Sequence, residues 1–509
     1  MKLLIPLLIL TATYAPAQIW VHGPRTPDPV APRRERQVSA SACQMLSHTP
    51  SSDPNQLTAA EVQSLVNSAV AAAANSAIAV AVVDRGGRLL GFFQGPSATS
   101  ATVETALSLA RSGAFFSSYG TPIFSRAVGY ISAPNFPPGI PNQPAGALFG
   151  IENTNRGCFL SASYLPGQEV PRPLNAMGTG PSQGLGGVPG GVTIFRGGYT
   201  VVGGIGVAGF ANTDIAEYAA YVATVQNNFT VHMPLPPPGG VFLGGFLLPF
   251  INLPLPTGVP PGPSTSTLQC GPFPGMPEPQ GMPGLQGWLV GPNAGSMLSQ
   301  SDVNNIVSNA VSTAMLTRAA IRFVPPNAQM VIAVADLDGT ILGLYRMNDS
   351  VIFSIDVAAT KARNVVYFTN PDPSVPNDLP GVPAGTAVTN RTIGFGAQPF
   401  FPSGIDGTPP GPFVDLFNYD AANPCTQGHQ PASMNQSGVV FFPGSAPLYR
   451  NGTLVGGLGV SGDGVDQDDF VTSGGAQGFY APDAIRADQV IIRGVRLPYW
   501  KFPRDPELP

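Results

Sequence analysis

The segment AIAVAVVDRGGRLLGFF, Ala77 to Phe93, returns almost unchanged as MVIAVADLDGTILGLY, Met330 to Tyr345. Each copy is an apolar run, a polar turn and a second apolar run, which is the pattern of a β-hairpin. Val80 to Val83 and Val331 to Val334 are rich in β-branched residues and suit a buried strand. The return strands are expected from Arg88 to Gln94 and from Thr340 to Arg346. Between them, Asp84 to Gly87 and Asp336 to Gly339 supply the turns, because glycine accepts the positive φ that a tight hairpin requires. The same turn role accounts for Asp84 and Asp336, which would otherwise look catalytic. A chain that writes one hairpin twice is constrained to fold as a duplicated unit.

The repeated unit is larger than its hairpin. Thr58 and Glu61 form a capping box ahead of Val62, Leu65, Val66, Ala69 and Val70 at helical spacing. Ser299 and Asp302 stand in the same place ahead of Val303, Ile306, Val307, Ala310 and Val311. After the hairpin a second helix is expected, Val103 to Phe116 in one copy and Ile355 to Phe368 in the other. The separation from Asp84 to Arg111 equals that from Asp336 to Arg363. Ala106, Ala110, Ala358 and Ala362 give these helices a small-residue face for close approach to a sheet or another subunit. RGGYTVVGGIGVAG, Arg196 to Gly209, then matches RNGTLVGGLGVSG, Arg450 to Gly462, as a closing hairpin. Asp214 and Asp468 are expected at the start of a last helix. Helix, hairpin, helix, hairpin, helix is one α/β domain, written twice.

The 509 residues exceed what one hydrophobic core serves, in keeping with two domains. The boundaries place a signal peptide at 1–17, an N-terminal extension at 18–56 and the first domain at 57–230. A Pro/Gly-rich linker follows at 231–296, then the second domain at 297–480 and a C-terminal tail at 481–509. Each domain carries an insertion, at about 130–191 and about 369–437, that reads as extended loop. The signal rests on MKLLIPLLILTATYAPAQ, with one lysine, a short apolar stretch and a small-x-small site that puts the cut before Gln18. The stretch is too short for a membrane span, and the expected location is secreted or periplasmic. A net charge of −5 leaves no basic footprint for nucleic acid. Cys43, Cys158, Cys270 and Cys425 allow two disulfides in an oxidising compartment, with three connectivities open. No C-x-x-C-H occurs for covalent haem attachment, and Cys425 with His429 lacks the second pair of donors a structural zinc needs.

The ordered combination of motifs resembles the GlcG/HbpS haem-binding family. It is carried in copy two by Val334 to Asp336, Gly339, Lys361 to Arg363, Gly456 to Gly462 and Gln467 with Asp468. Copy one keeps Val82 to Asp84, Gly87, Ala110 with Arg111, and Gly203 to Gly209. It departs at Leu109, where the family has lysine, and at Ala208, where the family has serine; Thr121 with Pro122 is similar to the family's Pro-Thr region in reversed order. The resemblance implies two tandem domains, each with a mainly antiparallel sheet flanked by helices, usually assembled into oligomers, and haem as a ligand of some members. Lys361, Arg363 and Arg111 would then pair with propionates, and Phe368 would line a pocket with Phe115, Phe116 and Tyr367. Thr121 is a further candidate, as a hydroxyl ligand.

Other chemistry is excluded or left without support. The Gly203–Gly206 and Gly456–Gly459 glycines lie inside strands, so they suit close packing and not a nucleotide loop, which leads into a helix. Asp463, Asp466, Asp468 and Asp469 lack the distal glutamate of a calcium loop and suit a helix start. No nucleophile elbow or H-E-x-x-H is present, no catalytic residue is assigned, and a non-enzyme is favoured. His22, His48, His232 and His429 all lie outside the repeated segments. The expectation is an exported haem or tetrapyrrole binder. A non-catalytic interaction scaffold, in which the two domains pair internally and meet a protein partner, stands as the alternative. An enzyme acting on a small oxygenated metabolite is a third.

Overall fold

The computed structural model describes residues 55–158, 182–251, 254, 257–266, 286–372 and 377–507. The signal peptide, Cys43, Cys270 and parts of both the first insertion and the linker lie outside these residues. The first copy opens with α1 (Ala59–Ala72), β1 (Ala79–Asp84), β2 (Leu89–Gln94) and α2 (Ser100–Phe115). It continues through α3 (Ser125–Ile131), β3 (Gly191–Arg196), β4 (Thr200–Ala208) and α4 (Thr213–Gln226). Two short hairpin strands, β5 (Phe242–Leu243) and β6 (Phe246–Leu247), follow it. The second copy is preceded by β7 (Gly287–Val290) and runs α5 (Gln300–Leu316), β8 (Met330–Ala335), β9 (Ile341–Arg346) and α6 (Ser354–Thr369). Then come α7 (Asn390–Gly396), α8 (Val414–Ala422), β10 (Ser445–Arg450), β11 (Thr453–Gly462) and α9 (Val465–Gly475). A last small hairpin, β12 (Ile491–Ile492) with β13 (Val495–Arg496), lies in the C-terminal tail.

The two sheets have one topology. The first is ordered β2-β1-β4-β3 and the second β9-β8-β11-β10, with β7 added outside β9. Every pairing is antiparallel, and the hairpin registers shift at matching places: Val82/Val83 and Val334/Ala335, then Ile194/Phe195 and Leu448/Tyr449. Both capping boxes form. Glu61 N donates to Thr58 Oγ1 at 3.3 Å, and Asp302 N to Ser299 Oγ at 3.1 Å.

The strand glycines determine how closely the helices lie on the sheets. A Cβ at Gly204 or Gly206 would run into the carbonyl oxygens of Ala110 and Ala106, and one at Gly457 or Gly459 into those of Ala362 and Ala358. Strand and helix backbones touch there because neither side carries bulk.

Outer helices α1 and α4 cover one face of the first sheet with Leu65, Val66, Ala219 and Ala220, and α5 with α9 cover the second with Ile306, Ala310 and Val471. The inner faces share one hydrophobic cluster. It runs from Ala81, Leu107 and Phe116 of copy one to Ala333, Phe353 and Ala358 of copy two. Phe116 and Phe353 stack at 4.4 Å between ring centroids. Ile352 N donates to Phe115 O at 3.1 Å, and Tyr119 N to Asp349 Oδ2 at 2.8 Å. A disulfide joins Cys158 of the first copy to Cys425 of the second.

Three expectations need correction. The second insertion is not loop throughout: it contains α7 and α8, and Ile393, Leu416 and the α8 N-cap residue Phe413 make a core of their own with Phe149, Leu497 and Tyr499. The linker's end is not free chain, since β7 pairs with β9. The acidic run does stand at a helix start, with Asp466 and Asp468 in the first turn of α9, but none of it caps the helix, whose N-cap is Gly464 with no side-chain bond.

Candidate functional site

The residues proposed for haem occupy separate places. Arg111 and Arg363 take equivalent positions beneath the two hairpin turns. Arg111 Nε donates to Gly87 O at 3.0 Å, and Arg363 Nε to Gly339 O at 2.9 Å. Gly87 has φ +81°, and a Cβ there would strike the Phe115 ring, so turn, arginine and aromatic are fitted together. Burial pulls the Arg111 guanidinium down to about 10 and that of Arg363 to about 9. Thr121 is buried where the copies meet, and its Oγ1 accepts from Phe323 N at 3.1 Å.

Lys361 is fully buried. Its Nζ donates to Val460 O at 2.7 Å and Asp468 Oδ2 at 3.0 Å, and lies 5.0 Å above the Phe442 ring. Burial lowers the ammonium's pKa against the pull of Asp468, and burial raises that of Asp468 to about 7 against the pull of Lys361. In copy one the same space is apolar. A Cβ at Gly444 would meet Lys361 and Asp468, and a Cβ at Gly190 would meet Leu109 and Ala216. The ion pair of one copy is thus the Leu109/Ala216 contact of the other. With its donors so engaged, Lys361 faces protein acceptors and not a ligand.

The other acidic residues around the start of α9, and their counterparts at α4, are also matched by cations. Asp463 receives Arg322 Nε at 2.5 Å and Gln329 N at 2.9 Å. Arg391 on α7 bonds both Asp466 and Asp469, while Arg126 on α3 bonds both Asp214 and Glu217. The structural counterpart of Asp214 is therefore Asp466, because each is the second residue of its helix; Asp468 faces Lys361 instead. Among the described residues, no group of three or more His, Cys, Asp or Glu is placed to hold a metal ion.

Phe368, partly buried at the C-terminal end of α6, leads to a different cluster. Its ring meets that of Tyr367 edge-on at 4.8 Å. Tyr367 Oη donates to Asp378 Oδ2 at 2.6 Å, which also accepts from His429 N at 2.9 Å. Asp378 Oδ1 lies 2.5 Å from His429 Nδ1. The Asp378 side chain is 3% exposed, that of His429 52%. The imidazole rests on Tyr419 of α8, with ring centroids 3.8 Å apart. A carboxylate can only accept, so Nδ1 is the donor of this contact, and in the neutral ring the lone pair then lies on Nε2. His429 was visible in the sequence only beside Cys425, which is disulfide-bonded and cannot share a zinc with it. Its true partner lies across the insertion.

An α/β domain with an antiparallel four-strand core, helices on both faces and a helical insertion is the class that fold and site define. Residues 298–477, which hold the second copy, match the family described as haem degrading protein HbpS-like. Among curated proteins no relative matches. Of solved structures, a PduOC:haem complex is 21% identical, covering 36% of this chain and 94% of its own, with a TM-score of 0.23. The Klebsiella pneumoniae protein ORFY is 18% identical, covering 35% and 88%, with a TM-score of 0.22. HbpS is 20% identical, covering 34% and 89%, with a TM-score of 0.21.

Proposed function

We propose that this chain is an exported haem-binding protein in which the second copy holds the ligand and the first is its built-in partner. The observation that carries the reading is the HbpS-like domain at 298–477. The donor chemistry of its insertion fits: an imidazole with Nδ1 held by a carboxylate and Nε2 open is the group a haem iron takes. Lys361 Nζ already donates to Val460 O and Asp468 Oδ2, and the Nε groups of Arg111 and Arg363 to Gly87 O and Gly339 O, so these side chains are at least partly engaged within the protein. Export is supported by the N-terminal n-h-c pattern and by the Cys158–Cys425 disulfide, a bond that persists in oxidising compartments. A haemin titration of the purified full chain tests the reading. A saturable, red-shifted Soret band supports it, and an unsaturable rise that follows free haemin removes it.

A second reading has its own observation. The copies share one inner core, joined by Phe116, Phe353 and their neighbours. A non-catalytic interaction scaffold needs no more than this, with the insertions carrying the partner's binding surface. Absence of haem binding, with a single cooperative unfolding transition, is the result that selects it.

A further inference from the structure

We propose that His429 is the axial ligand of the haem iron, presented by the second insertion through the pair His429–Asp378; the assignment rests on the haem reading above. The geometry is that of a prepared ligand. Asp378 is held by Tyr367 Oη at 2.6 Å and by His429's own backbone N–H at 2.9 Å, and it turns the imidazole by its Nδ1 at 2.5 Å. Nε2 has no protein partner among the described residues, and the side chain is half exposed, so the ring is open to solvent. Tyr419 lies against one face of the ring and restricts its rotation.

The backbone is shaped around this pair. Gly428 has φ +60°, and a Cβ there would strike Asp378 Oδ2. Cys425 ties the segment to Cys158, and Gln427 Oε1 accepts from Asn364 Nδ2 on α6 at 2.8 Å. Histidines that bind metals characteristically have such a partner on the other ring nitrogen, which sets the tautomer and raises basicity.

A lone imidazole also selects its metal. A bare zinc or copper ion would need two or three further side chains, and the described residues offer no such group. Iron in a tetrapyrrole brings four nitrogens with it and asks the protein for one or two ligands. Copy one has no histidine between its second helix and β3, so the site belongs to copy two alone.

The test is a haemin titration of the full chain and of His429→Ala and Asp378→Asn, following Soret and visible bands in the ferric and ferrous states. The wild type is expected to saturate with an imidazole-ligated spectrum. His429→Ala is expected to lose that spectrum, bind at least about tenfold more weakly, and regain the spectrum when free imidazole is added. Asp378→Asn is expected to weaken binding about 10–100-fold with the spectrum kept. An unchanged spectrum and affinity in His429→Ala, with wild-type saturation intact, overturns the assignment and leaves haem binding standing. A wild type that never saturates overturns the haem reading and the assignment with it. Melting temperatures equal to wild type show that the exposed His429→Ala change acts on the ligand and not on folding.

Discussion

At position 361 the chain carries a lysine in a space that its own other copy fills with Leu109. The two solutions differ in what happens when one member is removed. Lys361→Ala leaves Asp468 buried without its cation, and breaking such a pair costs about 3–5 kcal/mol of stability. Lys361→Leu with Asp468→Ala recreates the apolar contact of copy one and is expected to fold within about 1 kcal/mol of wild type, since packed apolar residues replace buried pairs at little cost. Urea unfolding of the three proteins checks this; a double variant no better than the single one would contradict it. Asp420 gives a second prediction at this scale. Burial raises its carboxyl well above the ordinary 3.8, with Val439 N and Arg156 opposing. A group raised in the folded state contributes fully below its unfolded pKa and loses that contribution as pH rises through the folded one. Asp420→Asn should therefore gain stability relative to wild type between pH 4 and pH 8; parallel melting curves across that range would refute it.

The elements show why the repeat was legible and the site was not. Hairpins, capping boxes and strand glycines are written in residues within a few positions of one another, so period and turn chemistry reveal them. Gly459 illustrates the gain: packed on the Ala358 carbonyl, it allows no side chain, and Gly459→Ala is expected to cost about 1–3 kcal/mol as α6 is pushed from β11. A thermal melt within a degree of wild type would show that the strand yields instead. Lys361, Arg363 and Arg111 stand out in the sequence as candidate propionate partners, but sequence does not say which face of a helix a charge enters. Their acceptors, Asp468, Gly339 and Gly87, lie on other elements. Asp378 and His429 are brought together by α7, α8 and the loops between them, short elements amid glycine and proline whose helical period is too brief to stand out. The offset of Asp214 against Asp468 has the same origin, because the structural match follows the helix start and not the count from the preceding strand.

In the whole molecule, duplication replaces one surface by another. Inner helices α2 and α6 of the two copies close on a common core, and the Cys158–Cys425 disulfide ties the first insertion to the second. Replacing both cysteines by serine is expected to lower stability by about 2–4 kcal/mol, as long cross-links do; unchanged unfolding under oxidising conditions would deny the bond its part in holding the copies together. With the inner faces occupied, the half-exposed His429 of copy two, together with the buried Lys361–Asp468 pair, distinguishes two copies that share one sheet topology. Native mass spectrometry of the haemin-saturated full chain counts the consequence directly. One haem per chain is the expected result, whereas two per chain, or none retained, would contradict a duplicated domain in which one copy binds and the other supports.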